Sequence, residues 1–138
     1  MTRPDLGLTH VALTARDVDA SAAFYGRYAA MKVVHARGEA PGRRVVWLSD
    51  ATRPFVIVLI ESHDVTARLD GIAHLGVGCA SREEVDRLAE QARAEGRLRL
   101  GPLDEGPPVG YYALIADPDG HNLEVSFGQE VGLTVENA

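Results

Sequence analysis

Two histidines and one glutamate stand where strand-like sequence does not need them. Leu8-Thr9-His10-Val11-Ala12-Leu13 and Ile72-Ala73-His74-Leu75-Gly76-Val77 each set a histidine inside an apolar run, with a small residue two places further along the same face. In Asn122-Leu123-Glu124-Val125-Ser126-Phe127, alternation puts Leu123, Val125 and Phe127 on one face and Asn122, Glu124 and Ser126 on the other. A carboxylate buried without a partner is costly, so Glu124 in mid-strand asks for a reason. Imidazole and carboxylate are both metal-ligating groups, and His10, His74 and Glu124 together form a candidate metal site.

Other residues offer narrower chemistry. Tyr111 and Tyr112 are neighbours on a strand, so only one can share the face of Glu124; that one is a candidate acid or hydrogen-bond donor, and the other is expected to pack in the core. Trp47, with Arg43 or Arg44, could line a pocket and hold an anionic group, although a core tryptophan and a surface arginine are equally ordinary. Glu61 reads as a solvated strand end, and His35, His63 and His121, in or beside loops, as solvated side chains. Cys79 is the only cysteine, so it forms no internal disulfide, and its apolar setting reads as a small buried hydrophobe.

The elements that must position these groups fall into two similar halves. Leu6 to Thr14 reads as a strand, Asp17 opens a helix that runs to about Ala30, and strands follow over Lys32 to Ala36, Arg44 to Ser49 and Phe55 to Glu61. After a polar connection, Ala73 to Cys79 reads as a strand, Ser81 and Glu84 make a capping-box pattern, and a helix runs to Gly96. Leu98 to Leu100 is a weak strand, Gly101 to Gly110 a Pro- and Gly-rich loop, and Tyr111 to Phe127 a hairpin about Asp117-Pro118-Asp119-Gly120. Each half is therefore strand, helix, strand, strand, strand, with its histidine on the first strand. The expectation is α+β, two tandem βαβββ modules at 6–62 and 72–127 whose curled mixed sheets enclose a cleft, and a polar tail at 128–138 that could extend along a partner chain.

Composition sets the bounds. The chain has 138 residues, enough for one domain or two small halves sharing a core. Fourteen Lys and Arg against twenty Asp and Glu leave a net charge of −6, which argues against nucleic-acid or anionic-membrane binding. The start of the sequence shows no apolar leader and the longest apolar run, Phe55 to Ile60, is too short to span a bilayer, so a cytoplasmic protein is expected.

The runs Thr9-His10-Val11-Ala12-Leu13, Phe24-Tyr25-Gly26, His74-Leu75-Gly76-Val77 and Asp117-Pro118-Asp119-Gly120-His121-Asn122-Leu123-Glu124 resemble the vicinal oxygen chelate superfamily, the glyoxalase, bleomycin resistance protein and extradiol dioxygenase group. The resemblance spans about Leu6 to Phe127. It implies that His10, His74 and Glu124 hold a divalent metal ion, Fe(II), Mn(II), Ni(II) or Zn(II), with open positions for a small substrate that binds through two adjacent oxygens. It also implies a homodimer, with the metal residues drawn either from one chain or from His10 of one and His74 and Glu124 of the other.

Departures from the subfamily patterns matter for the reaction. Glyoxalase I and methylmalonyl-CoA epimerase-like members carry a fourth ligand on the last strand of the first half, at a place that falls here near Ile57 or Val58, both apolar. Extradiol dioxygenases and fosfomycin thiol transferases have a tyrosine where Leu114 stands, and the latter have a threonine at the position of Ala12. The reading is a metal-dependent lyase, isomerase or ring-cleaving dioxygenase of unassigned substrate. The alternative is a non-catalytic protein that sequesters a drug-like molecule, against which the aromatic content of 6% counts mildly.

Overall fold

Burial alternates along most strands of this chain and follows a stripe on its two longer helices, and the computed structural model, which describes residues 4–40 and 42–138, shows what each pattern packs against. In chain order the elements are β1 (His10–Ala15), α1 (Val18–Ala29), β2 (Lys32–Arg37), β3 (Val45–Ser49), β4 (Val56–Glu61), β5 (Leu75–Gly78), α2 (Arg82–Ala94), β6 (Leu98–Asp104), β7 (Tyr111–Ala116), β8 (Asn122–Phe127) and α3 (Val131–Glu136). The chain divides into two compact units after Arg68. Each unit holds one four-stranded sheet, ordered β1-β4-β3-β2 in the first and β5-β8-β7-β6 in the second, with the outer pair parallel and the others antiparallel. The fold is α+β, built as two tandem βαβββ modules, and neither sheet closes on itself. No helix among the described residues is long and apolar enough to cross a membrane.

In the first unit α1 starts where the Asp17 carboxylate accepts the backbone N–H groups of Asp19 and Ala20, satisfying two of the helix's orphan donors. It buries Val18, Phe24, Tyr25 and Tyr28 over the face of the sheet that carries Leu13, Val46, Leu48, Ile57 and Leu59. Phe24 meets Tyr25 edge-on at 5.0 Å between ring centroids and Tyr28 at 4.7 Å, an aromatic cluster within an otherwise aliphatic core. In the second unit α2 buries Val85, Leu88, Ala89 and Ala92 over Ala113, Ile115, Leu123 and Val125. Its capping box forms by half: the Ser81 hydroxyl accepts the Glu84 N–H, but the Glu84 carboxylate turns to Arg87.

Several sequence expectations need correction. β1 begins at His10, with Leu6 and Leu8 before it and exposed, and β5 begins at Leu75, so His10 opens its strand and His74 immediately precedes one. β6 runs on to Asp104 through Gly101 and Pro102, which a sheet-edge strand with register shifts accommodates. The C-terminal segment is no extended tail, since it contains α3. His35 lies within β2, edge-on to Trp47 at 4.9 Å, and His121 is fully buried.

Candidate metal centre

The second unit brings His74 and Glu124 together. Gly76 pairs with Glu124 in the parallel β5–β8 ladder, which sets the end of the segment carrying His74 beside the middle of β8, and His74 Nε2 lies 3.8 Å from Glu124 Oε1. The other imidazole nitrogen, Nδ1, is 2.8 Å from the Ile72 carbonyl oxygen. A carbonyl only accepts, so Nδ1 carries a proton, and Nε2 is the nitrogen turned to the carboxylate. Glu124 is buried, and its Oε2 accepts only a 3.3 Å hydrogen bond from Gln129 Nε2. The Nε2–Oε1 separation is longer than a hydrogen bond and shorter than two metal–ligand bonds of about 2.0–2.2 Å each laid end to end. The gap suits a cation, either a proton on the imidazole or a metal ion.

The turn before Glu124 explains why so polar a sequence is buried. Asp117 Oδ1 accepts the N–H groups of Asp119 and His121, closing the turn, and Gly120 takes a φ of 93° that a side chain would resist. His121 Nδ1 accepts the Leu69 N–H at 3.1 Å, and Asn122 N–H donates to the Leu69 carbonyl at 2.6 Å. The Asn122 amide donates to the carbonyls of Gly71 and Ala73, both at 3.1 Å, while its Oδ1 accepts from Arg99 at 2.6 Å. Asn122 therefore ties the two residues flanking Ile72, and with them the backbone that carries His74, to the strand that carries Glu124.

The two tyrosines separate as strand alternation requires. Tyr112 pairs with Ser126 and shares the sheet face of Glu124; its hydroxyl donates to Glu105 at 3.3 Å. Burial, then the charges of Glu105 and Glu124, hold that phenol above its ordinary value, so it stays protonated at neutral pH. Tyr111 points to the α2 side, where its hydroxyl donates to Asp86 and Arg82 stacks 3.9 Å over its ring. The structure does not bring Tyr111 to the His74–Glu124 pair. Cys79 is half-buried and its thiol is pushed up by burial and by Glu84, which favours the protonated form.

In the first unit His10 opens the edge strand β1, exposed, with Nδ1 2.9 Å from Thr9 Oγ1. The place equivalent to Glu124 is fixed by register: Gly76, two residues after His74, pairs with Glu124, and Ala12, two residues after His10, pairs with Val58. Val58 is apolar, so this module has no carboxylate at that position. Glu61 is committed elsewhere, accepting the Gly42 N–H. Among the described residues no three His, Cys, Asp or Glu side chains gather around one point. The face of this sheet turned away from α1 lines a cavity of about 620 Å³ that includes His10, Trp47, Val58 and Phe55. Trp47 lines it as the sequence suggested, but Arg44 is held by Asp19 on α1 at 2.7 Å, and the cavity's arginines are Arg37 and Arg53, which sequence reasoning passed over.

Two βαβββ modules, each with a histidine at the start of its first strand, define the class, and comparison with known proteins agrees. The family model of the Glyoxalase/Bleomycin resistance protein/Dioxygenase superfamily matches residues 7–125, and the chain belongs to that superfamily. An uncharacterized protein of Pseudomonas aeruginosa is 38% identical over 128 residues, 91% of each chain. Among solved structures, a possible glyoxalase from Bacillus cereus superposes with a TM-score of 0.68 at 23% identity, over 88% of this chain and 99% of that one. The trypanothione-dependent glyoxalase I of Leishmania major gives 0.64 at 22% over 96% and 94%. The fosfomycin resistance protein FosX of Listeria monocytogenes, complexed with Mn(II) and a dihydroxypropylphosphonic acid, gives 0.69 at 20% over 95% and 96%. At these identities the structures speak for the fold.

Proposed function

We propose that the chain is a divalent-metal-dependent enzyme in which His10, His74 and Glu124 hold one ion, acting on a small molecule with two adjacent oxygens by lyase, isomerase or ring-cleaving dioxygenase chemistry. The observation that carries this is the buried Glu124 carboxylate with the His74 Nε2 edge 3.8 Å away, two metal-ligating groups held together by the β5–β8 ladder. The Mn(II) in the Listeria protein of the same fold supports a divalent ion as that cation. When bound, the ion would supply Lewis acidity toward the substrate oxygens.

The chain's own residues do the rest. Ile72 fixes the His74 tautomer, and Asn122 holds the His74 backbone against β8. Tyr112, protonated and on the Glu124 face, is the group placed to donate a hydrogen bond or a proton. With Val58 where a fourth carboxylate would stand, proton transfer by a base on β4 is not supported.

The test is metal content by elemental mass spectrometry on protein purified without chelator. Near one equivalent per chain, lost in His74→Ala, supports the reading; no ion in either protein and none taken up on titration overturns it, and the cavity beside Trp47 then favours a sequestering protein. We also propose a cytoplasmic homodimer. Mixing His10→Ala with His74→Ala protein restores ion binding if each site draws its histidines from two copies, and leaves it absent if both come from one.

A further inference from the structure

The cavity of the first module has a charge arrangement that the metal reading does not use. Register sets the lining residues of this sheet in rows: His10 beside Val56, then Val58 beside Trp47, then Ile60 and Val45 in line with Arg37. Arg37 thus closes one end, while His10 and Arg53, in the turn before β4, stand at the other. The ends are two residue pairs apart along the strands, roughly 13 Å of backbone. Between them the wall is apolar, and Trp47 remains 40% exposed, a large aromatic surface left for something to cover.

The arginines lining this cavity differ from others on the chain. Arg44, Arg82, Arg87 and Arg93 all hold carboxylates, and Arg99 holds Asn122. The guanidinium groups of Arg37 and Arg53 make no hydrogen bond or ion pair among the described residues. Asp50 feels the Arg53 charge but accepts its hydrogen bonds from Thr52. Among the described residues Asp5 is the one carboxylate on the cavity wall, so two cations face one anion in a chain whose net charge is −6.

We propose that this cavity binds a small molecule with a flat apolar body and a terminal carboxylate, the body against Trp47 and Val58, the carboxylate on Arg37 and the opposite end toward His10. The planar guanidinium matches a carboxylate through two parallel hydrogen bonds, and the indole face offers stacking area at little entropic cost. Arg53 offsets Asp5 at the His10 end. The orientation rests on the reading of His10 as the metal-bearing end of the cavity, and it names the substrate class that reading leaves open.

Trp47 is the only tryptophan in the chain, so its fluorescence reports on this cavity alone. Titrating 3-phenylpropionate and its uncharged amide into chelator-treated and Zn(II)-loaded protein is expected to give a saturable change with both, the carboxylate about tenfold tighter in either preparation. Arg37→Gln should abolish that preference while leaving amide binding intact, and Arg43→Gln, outside the cavity, should leave both unchanged. Equal affinity for acid and amide, a preference that survives Arg37→Gln, or a fluorescence change that depends only on protein concentration, as when a second copy covers the face, overturns the proposal. A preference that persists in protein unable to bind any metal sustains this assignment and removes the metal reading; metal binding without a preference does the reverse.

Discussion

The two modules share strand order and register and differ in what they place on the same backbone positions. Where the second module carries Asn122, Glu124 and Ser126 along β8, the first carries Val56, Val58 and Ile60 along β4, and where the second has Tyr112 and Leu114 the first has Val45 and Trp47. One open face is polar and organised around a buried carboxylate. The other is apolar, with cations only at its ends. The same backbone positions thus carry different chemistry in the two modules.

The largest effect should come from removing the carboxylate that distinguishes the modules. Glu124→Gln keeps the volume and the bond from Gln129 but loses the charge, and divalent-ion affinity, measured by competition with a chromogenic chelator, should fall by at least about 100-fold. Glu61→Gln, on the corresponding strand of the first module, should leave that affinity unchanged, because its carboxylate serves the Gly42 N–H. Equal losses in the two variants would erase the distinction. Asn122→Ala is expected to weaken ion binding about tenfold, since the ties to Gly71 and Ala73 that seat His74 are gone. A purely structural role would lower the melting temperature and leave the affinity of the folded protein alone.

The element order was legible in the sequence because alternation and helical spacing repeat in both halves, and His10, His74 and Glu124 stood out as polar groups breaking apolar runs. Less local features were not. Asn122 looks like one more residue of a polar strand face, and His121 like a solvated turn residue, until their partners some fifty positions earlier are known; the His121 ring in fact accepts the Leu69 N–H. Arg37 sits next to a Gly-containing loop, where nothing but strand register shows that it shares a face with Trp47. Gly101-Pro102 has loop chemistry, and only the edge position of β6 lets the strand continue through it.

The tyrosine pair separates the two faces of the second module by a smaller effect. Both phenols are held above the ordinary value, Tyr111 first by its bond to Asp86 and Tyr112 first by burial. The folded chain keeps these protons at a pH where the unfolded chain has lost them. Their contribution to stability is therefore intact below the unfolded value near 10 and is lost as pH rises through the higher folded value. Urea midpoints should fall more steeply above pH 10 for wild type than for Tyr112→Phe. In addition, Tyr112→Phe but not Tyr111→Phe should slow turnover of any substrate found, since only Tyr112 shares the face of Glu124.

The smallest effect lies on the helices, where the modules again divide. Asp19 of α1 is bridged by Arg44, the residue just before β3, whereas Glu84 of α2 pairs with Arg87 on the next turn at 2.7 Å, largely exposed. The Arg87 hydrogen bond holds the Glu84 carboxyl below its ordinary value, so the pair's contribution is present above the unfolded carboxylate pKa and is lost as pH falls through the lowered folded value. For Arg87→Gln the loss at neutral pH and low salt should be about 0.2–0.5 kcal/mol by urea denaturation, and it should vanish at acid pH or in high salt. Arg87 also draws the Cys79 thiol slightly down against burial and Glu84, so the same variant should make Cys79 slower, not faster, toward iodoacetamide. A faster reaction would mean that α2 had loosened from its sheet.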